Sequence, residues 1–187
     1  MIIEDQIFEK IDYTSRPLEK AEFDNCRFIN CSFANVSLPN LIFIDCEFTD
    51  CDFSMAKING TAFKDVTFTD CKLLGVNFND SEPFLLQLKF QNCNLKLASF
   101  YKLKLKNTAF KKCILEDVDF TQTDLTGATL ENCNCNKAIF DNTILEKADL
   151  RTATNYSIDP NVNRIIKAKF SYPSVLGLLD KHKIIVQ

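Results

Sequence analysis

The groups in this 187-residue chain that could do chemistry are nine cysteines, 25 acidic side chains and one histidine. Thiols at regular gaps suggest a metal centre, but a structural zinc site takes its cysteines in pairs about two to four residues apart. Here Cys26/Cys31 and Cys46/Cys51 are five apart, and only Cys133 and Cys135 form a close pair. The opening Met1-Ile2-Ile3-Glu4-Asp5-Gln6 carries no basic and apolar leader pattern, so the thiols read as reduced, without a disulfide framework. His182 lies between Lys181 and Lys183 with no nucleophile to pair with it. Phosphate-loop, dinucleotide-binding and zincin motifs do not occur. Acid-base and triad catalysis therefore find no candidates, and the expectation is a protein that is not an enzyme and takes no cofactor or metal.

The element that positions these residues is a repeat. From Phe8, fifteen consecutive fifth residues are large and apolar: Phe8, Tyr13, Leu18, Phe23, Phe28, Phe33, Leu38, Phe43, Phe48, Phe53, Ile58, Phe63, Phe68, Leu73 and Phe78. The phase slips by two across residues 79–89, then resumes at Phe90 and runs through Phe100, Phe110, Phe120 and Phe140 to Leu150, broken in kind only by Cys135. A period of five fits neither the 3.6-residue helix nor the two-residue strand, so the chain reads as an all-β solenoid. Two residues before the centres runs a second series that includes many small side chains, among them Ala21, Ala56, Ala98, Ala128, Ala138 and Ala148, and eight of the nine cysteines occupy it. The inward core is thus expected to contain Phe28, Phe48, Phe68, Phe100, Phe120 and Phe140 with Cys31, Cys51, Cys71, Cys93, Cys113 and Cys133, the thiols acting as compact hydrophobes. Two residues after the centre, Asn, Asp or Gly fills eleven of the first fifteen positions, the composition of a tight corner. Cysteines match in kind five times at a separation of twenty and only twice at five, so four pentapeptides make one square coil.

Units such as Cys46-Glu47-Phe48-Thr49-Asp50 and Ala148-Asp149-Leu150-Arg151-Thr152 resemble the pentapeptide-repeat family. The resemblance spans about residues 8 to 152 and implies a right-handed quadrilateral β-helix. Residues 1–155 are expected to form it, and residues 156–187 a capping segment. In that segment Ile165 to Phe170 reads as a last short strand, and Ser171 and Pro173 read as the entry to a short helix. The tail is similar to the C-terminal module of the Qnr and MfpA quinolone-resistance proteins and the microcin B17 immunity protein. That likeness implies a homodimer, for which Val175, Leu176, Leu178, Leu179, Ile184 and Ile185 are the candidate interface. A cap that only shields the last coil is the alternative.

The same likeness implies a partner, DNA gyrase or topoisomerase IV, protected from a quinolone or a peptide toxin. Asp45, Asp50, Asp65 and Asp70 are the candidate contact. Charge is segmented: residues 1–82 carry a net −8, residues 83–115 hold seven lysines and no acid, residues 116–150 carry −6 and the tail +4. A full imitation of duplex DNA, at about one charge per 1.7 Å, needs a far more acidic rod. The lysines are expected to ring the rod as a band. Direct nucleic-acid binding does not fit an acidic chain with one outward aromatic, Tyr101, beside that band, and with no long apolar run a membrane is not expected; the cytoplasm is the expected location. The second reading is a protein-interaction scaffold whose contact is Phe84, in the phase slip, or Lys104 in the lysine band. The slip is either a recognition loop or a bulge that re-registers two stacked blocks.

Overall fold

The computed structural model describes residues 1–185, so Val186 and Gln187, the end of the expected cap, lie outside it. Its strands are β1 (Ile2–Glu4), β2 (Ile7–Glu9), β3 (Glu22–Asp24), β4 (Arg27–Ile29), β5 (Ile42–Ile44), β6 (Glu47–Thr49), β7 (Ala62–Lys64), β8 (Val66–Thr69), β9 (Leu88–Gln91), β10 (Ala109–Lys111) and β11 (Thr129–Glu131). All their pairings are parallel, in two sheets ordered β1-β3-β5-β7 and β11-β10-β9-β8-β6-β4-β2. The register is the sequence period made visible: Phe8 lies on Phe28, Phe28 on Phe48 and Phe48 on Phe68. Single bridges such as Ser32↔Asp52 and Ser99↔Asp119 build the other two faces. The architecture is the expected quadrilateral β-helix.

The strands stay short because a corner follows every centre. Asn25, Asn30, Asn35, Asn40, Asp45, Asp50, Asp65 and Asp70 all have φ between 50° and 60°. This left-handed region costs most L-residues roughly 1–2 kcal/mol and Asn or Asp less, because their short side chains bond locally. Met55, Leu85, Leu97 and several lysines adopt it as well, so stacking imposes the corner even where residue type opposes it. At Gly60 a Cβ would lie 2.6 Å from Asn40 Oδ1 in the coil below, so any other residue there would have to turn the Asn40 side chain aside.

Inside, the phenylalanines form columns. Rings stack coil on coil, with centroids 4.8 Å apart for Phe28–Phe48 and 5.4 Å for Phe100–Phe120. Neighbouring columns meet edge to face, as Phe28 and Phe33 do at 5.9 Å, the geometry that π quadrupoles favour. The named core residues are buried as expected. The stack continues past the repeat seen in sequence, since Arg164 and Lys169 bridge to Ile144 and Asp149. Beyond it come two 3-10 turns, Ser174–Leu178 and Asp180–His182, entered from Pro173. The Ser171 side chain does not cap the first turn; its backbone carbonyl accepts from Val175 N–H at 3.0 Å. Gly177 lies so close over the Tyr156 carbonyl that a side chain could not fit.

Candidate protein-binding surfaces

The cysteines come first, because their environment decides whether they are chemistry or structure. All nine are buried and unpaired. Eight of the thiols, all but Cys135, donate to a carbonyl of the previous coil: Cys51 to Phe28 at 3.3 Å, Cys71 to Phe48 at 3.3 Å, Cys133 to Phe110 at 3.4 Å. Thr123 and Thr143 make the same bond at 2.8 Å to Phe100 and Phe120, and Asn163 Nδ2 makes it at 2.9 Å to Phe140. Where the small inward residue carries a donor, that donor is used between coils, a role the sequence did not reveal; alanines such as Ala98 and Ala128 fill the same position by size alone. Burial pushes the thiols of Cys46 and Cys135 up to about 12. Hydrogen bonds that they donate to neighbouring thiols, together with burial, push Cys71 and Cys133 up as well, while the accepting thiols Cys51 and Cys113 are held below the ordinary range. Buried as all nine are, these thiols are shielded from reagents and from a metal ion in solution. Among the described residues no group of three or more His, Cys, Asp or Glu is placed to hold a metal ion.

The four candidate acids occupy two adjacent edges of the rod. Asp45 and Asp65 continue the column of Asp5 and Asn25, and Asp50 and Asp70 continue that of Lys10 and Asn30. Corner geometry accounts for their residue type, and stacking engages part of their charge. Asn25 Nδ2 donates to Asp5 at 2.7 Å, Lys89 Nζ donates to Asp65 at 2.7 Å, and Asn92 Nδ2 donates to Asp70. The lysines do ring the rod, since Lys89, Lys96, Lys102 and Lys104 fall on four successive faces. They are also largely answered by acids one coil away: Lys96 pairs with Glu116 at 3.2 Å, Lys106 with Asp124 at 3.4 Å and Lys111 with Glu131 at 3.8 Å. Lys104 faces Asp124 across the ladder, and Lys102 Nζ lies 4.7 Å over the Tyr101 ring.

The phase slip is a bulged corner. Ala62 bridges to Glu82 twenty residues on, whereas Val66 pairs with Leu88 twenty-two on. Leu86 and Gln87 absorb the difference: Val66 N–H donates to the Gln87 carbonyl at 3.0 Å and Gln87 N–H to Phe63 at 3.1 Å. The slip thus re-registers the stack, and it also presents side chains. Phe84 is 68% exposed and Leu85 61%, the latter with φ of 59°.

The six candidate interface residues divide. Val175 and Leu178 are half-buried, Leu178 against the core, while Leu176, Leu179, Ile184 and Ile185 are exposed beside Tyr172. Lys181 Nζ holds the tail to Asp159 at 2.5 Å. Two apolar features were not anticipated from sequence. One is the edge formed by Met55 and Leu97, both exposed and left-handed, with the Met55 thioether lying over Gly75. The other is the N-terminal end of the core, where Phe8, Ile11 and Leu18 are half-buried.

The sequence matches the pentapeptide repeat region family over residues 21–100 and the pentapeptide repeats (8 copies) family over residues 87–117 and 119–154. A search of curated proteins gives no match. Among solved structures the chain is similar to a trypsin-treated form of QnrB1, a plasmid-mediated fluoroquinolone resistance protein, at 17% identity and a TM-score of 0.77, covering 100% of this chain and 92% of that one. Full-length QnrB1 is similar at 16% identity and a TM-score of 0.58, covering 98% and 100%. With the five-residue period, the parallel coils of twenty and these matches in agreement, the chain belongs to the pentapeptide-repeat family.

Proposed function

We propose that this protein is a Qnr-like binding protein that engages DNA gyrase or topoisomerase IV and shields it from a quinolone or a peptide toxin. The observation that carries this reading is the likeness to QnrB1, a fluoroquinolone resistance protein, over the whole of this chain. The contact is the N-terminal half of the rod, where Asp45 and Asp50 and the less exposed Asp65 line adjacent edges of an acidic segment. Lys89 engages Asp65 and Lys96, Lys106 and Lys111 pair with acids of the next coil, so Asp45 and Asp50, which form no ion pair among the described residues, carry the charge left for a partner. Steering by such a block is strongest at low ionic strength, because the Debye length falls to about 8 Å at physiological salt. Binding of immobilised gyrase should weaken at least tenfold in Asp45→Lys/Asp50→Lys and fall with added salt. Equal binding by the variant contradicts the assigned contact, and no binding by the unaltered protein contradicts the partner.

Leu176, Leu179, Ile184 and Ile185 give the C-terminal end an exposed apolar surface, which supports a homodimer through this segment. Leu176→Glu should convert a dimer to a monomer in sedimentation equilibrium. A monomeric unaltered protein would make the segment a cap alone.

A second reading is favoured by Phe84 and Leu85, which stand out from the bulged corner where a polar pair would serve solubility better. In that reading the protein is an interaction scaffold without a topoisomerase partner, and Phe84→Ala abolishes capture of the partner while Asp45→Lys does not.

A further inference from the structure

We propose that two copies of this chain pair side by side and antiparallel through the face built on β1, β3, β5 and β7. This pairing depends on neither functional reading, and its surface is separate from the C-terminal segment. The face continues from β7 through Glu82, which bridges to Ala62, to Lys104, which bridges to Asp124. On each coil the two residues flanking the centre stand on the outer side. Along the axis these are Glu22 and Asp24, Ile42 and Ile44, Ala62 and Lys64, Glu82 and Phe84, and, after the slip of two, Lys104 and Lys106. Acids thus stand at one end of the stretch, lysines at the other, and apolar side chains between them. Ile42 and Ile44 are half-buried, while Phe84 and its neighbour Leu85 are exposed. The strands of the adjoining face present Glu47, Thr49, Thr67 and Thr69 in the same positions, so the apolar residues belong to this face and not to the rod in general. A contiguous apolar patch with a polar rim marks an interaction surface.

The order of charges along this face makes a second copy its occupant. A two-fold pair is self-complementary: residue i meets j, and j meets i. With the axis crossing the face at Ala62, coils equally far to either side of it come together. Ile44 then lies against Phe84 of the second copy, Glu22 against Lys104 and Asp24 against Lys106, and each contact occurs twice. Glu22, Asp24 and Lys104 form no ion pair among the described residues, whereas Lys106 reaches Asp124 at 3.4 Å. Glu82, which meets Ile42, already accepts the Phe84 N–H at 3.0 Å. On the face itself the one like-charge contact is Lys64 with its own copy at the axis. A parallel pair would instead set Glu22 against Asp24 and Lys104 against Lys106, and like charges across an interface exclude a partner. The antiparallel arrangement is the one that the charges select.

The test uses the full chain carrying Leu176→Glu, which removes the C-terminal contact, in sedimentation equilibrium from micromolar to millimolar concentration. The face is one three-residue strand wide, narrower than a standard interface of roughly 1,600 Å² requires. Single rods should therefore predominate at low micromolar concentration and pairs toward millimolar. Adding Glu22→Lys/Asp24→Lys should weaken pairing at least tenfold, and so should adding Lys104→Glu/Lys106→Glu. An equimolar mixture of these two variants should pair as the parent does, because each meets the opposite charge on the other at both ends of the face. That recovery also shows that both variants are folded. Phe84→Ala should weaken pairing of the parent at least tenfold. A parent that stays monomeric at millimolar concentration overturns the proposal, as do charge variants that pair as well as the parent, or a mixture that remains monomeric.

Discussion

At the residue scale, the inward small position combines volume with hydrogen bonding. A cysteine there fills the corner of the core and donates a hydrogen bond to a carbonyl one coil below, as Cys71 does to Phe48. Its presence at regular spacing could be read from the sequence, but its donor role could not, because the acceptor lies in another coil. Two outcomes follow. In the folded protein the nine thiols should resist a thiol reagent and react together only on unfolding, which absorbance against denaturant concentration will show; rapid reaction of one or two would contradict the burial. The pH dependence has a definite sign. A thiol whose folded value is raised, as at Cys46 and Cys135 to about 12, contributes stability that is complete below the unfolded value of about 8.5. That stability is lost as pH rises through the folded value. The melting temperature should therefore decline between the two, and the decline should be smaller in Cys46→Ala. Among the centres, Phe48→Ala removes a fully buried ring that stacks on Phe28 and Phe68 and should cost about 3–5 kcal/mol in denaturant unfolding. A loss below about 1 kcal/mol would mean that its neighbours close the space as few cores can.

At the scale of the element, the unit is a three-residue strand and a corner, too short to persist alone. Each pentapeptide gains its stability from the coils above and below. This is why so much of the fold was legible. Register, face and burial all repeat with the same period, so reading Phe28, Phe48 and Phe68 as one column required only counting. The places that were not legible are those where stacking overrides residue preference. Nothing in Leu97 or Met55 announces a left-handed corner, and the two extra residues near Gln87 could have been either a projecting loop or a bulge. The structure makes them a bulged corner carrying an exposed Phe84. Leu97→Gly, at φ of 61°, should remove a conformational cost of roughly 1–2 kcal/mol and raise the melting temperature. A fall would show that Leu97 makes packing contacts that outweigh the backbone term. The C-terminal element departs further from its sequence reading: the apolar run folds as two 3-10 turns, because Gly177 must lie flat on Tyr156 and Lys183 leaves the turn at φ of 51°.

At the scale of the molecule, the rod has ends and edges in place of a cleft. Its charges are segmented along the axis, and four of the seven central lysines pair with acids one coil away. The outward surfaces with chemistry to offer are the acidic N-terminal edges, the Phe84 bulge and the two apolar ends. The sequence located the acids and the C-terminal apolar cluster; it could not show which acids are engaged by neighbours twenty residues away. The central functional claim is protection of a topoisomerase, and the direct measurement is supercoiling by purified DNA gyrase, titrated with this protein in the presence and absence of a quinolone. Supercoiling inhibited by the drug should recover as the protein is added, and should recover less with Asp45→Lys/Asp50→Lys. Supercoiling that stays inhibited at micromolar protein would contradict it.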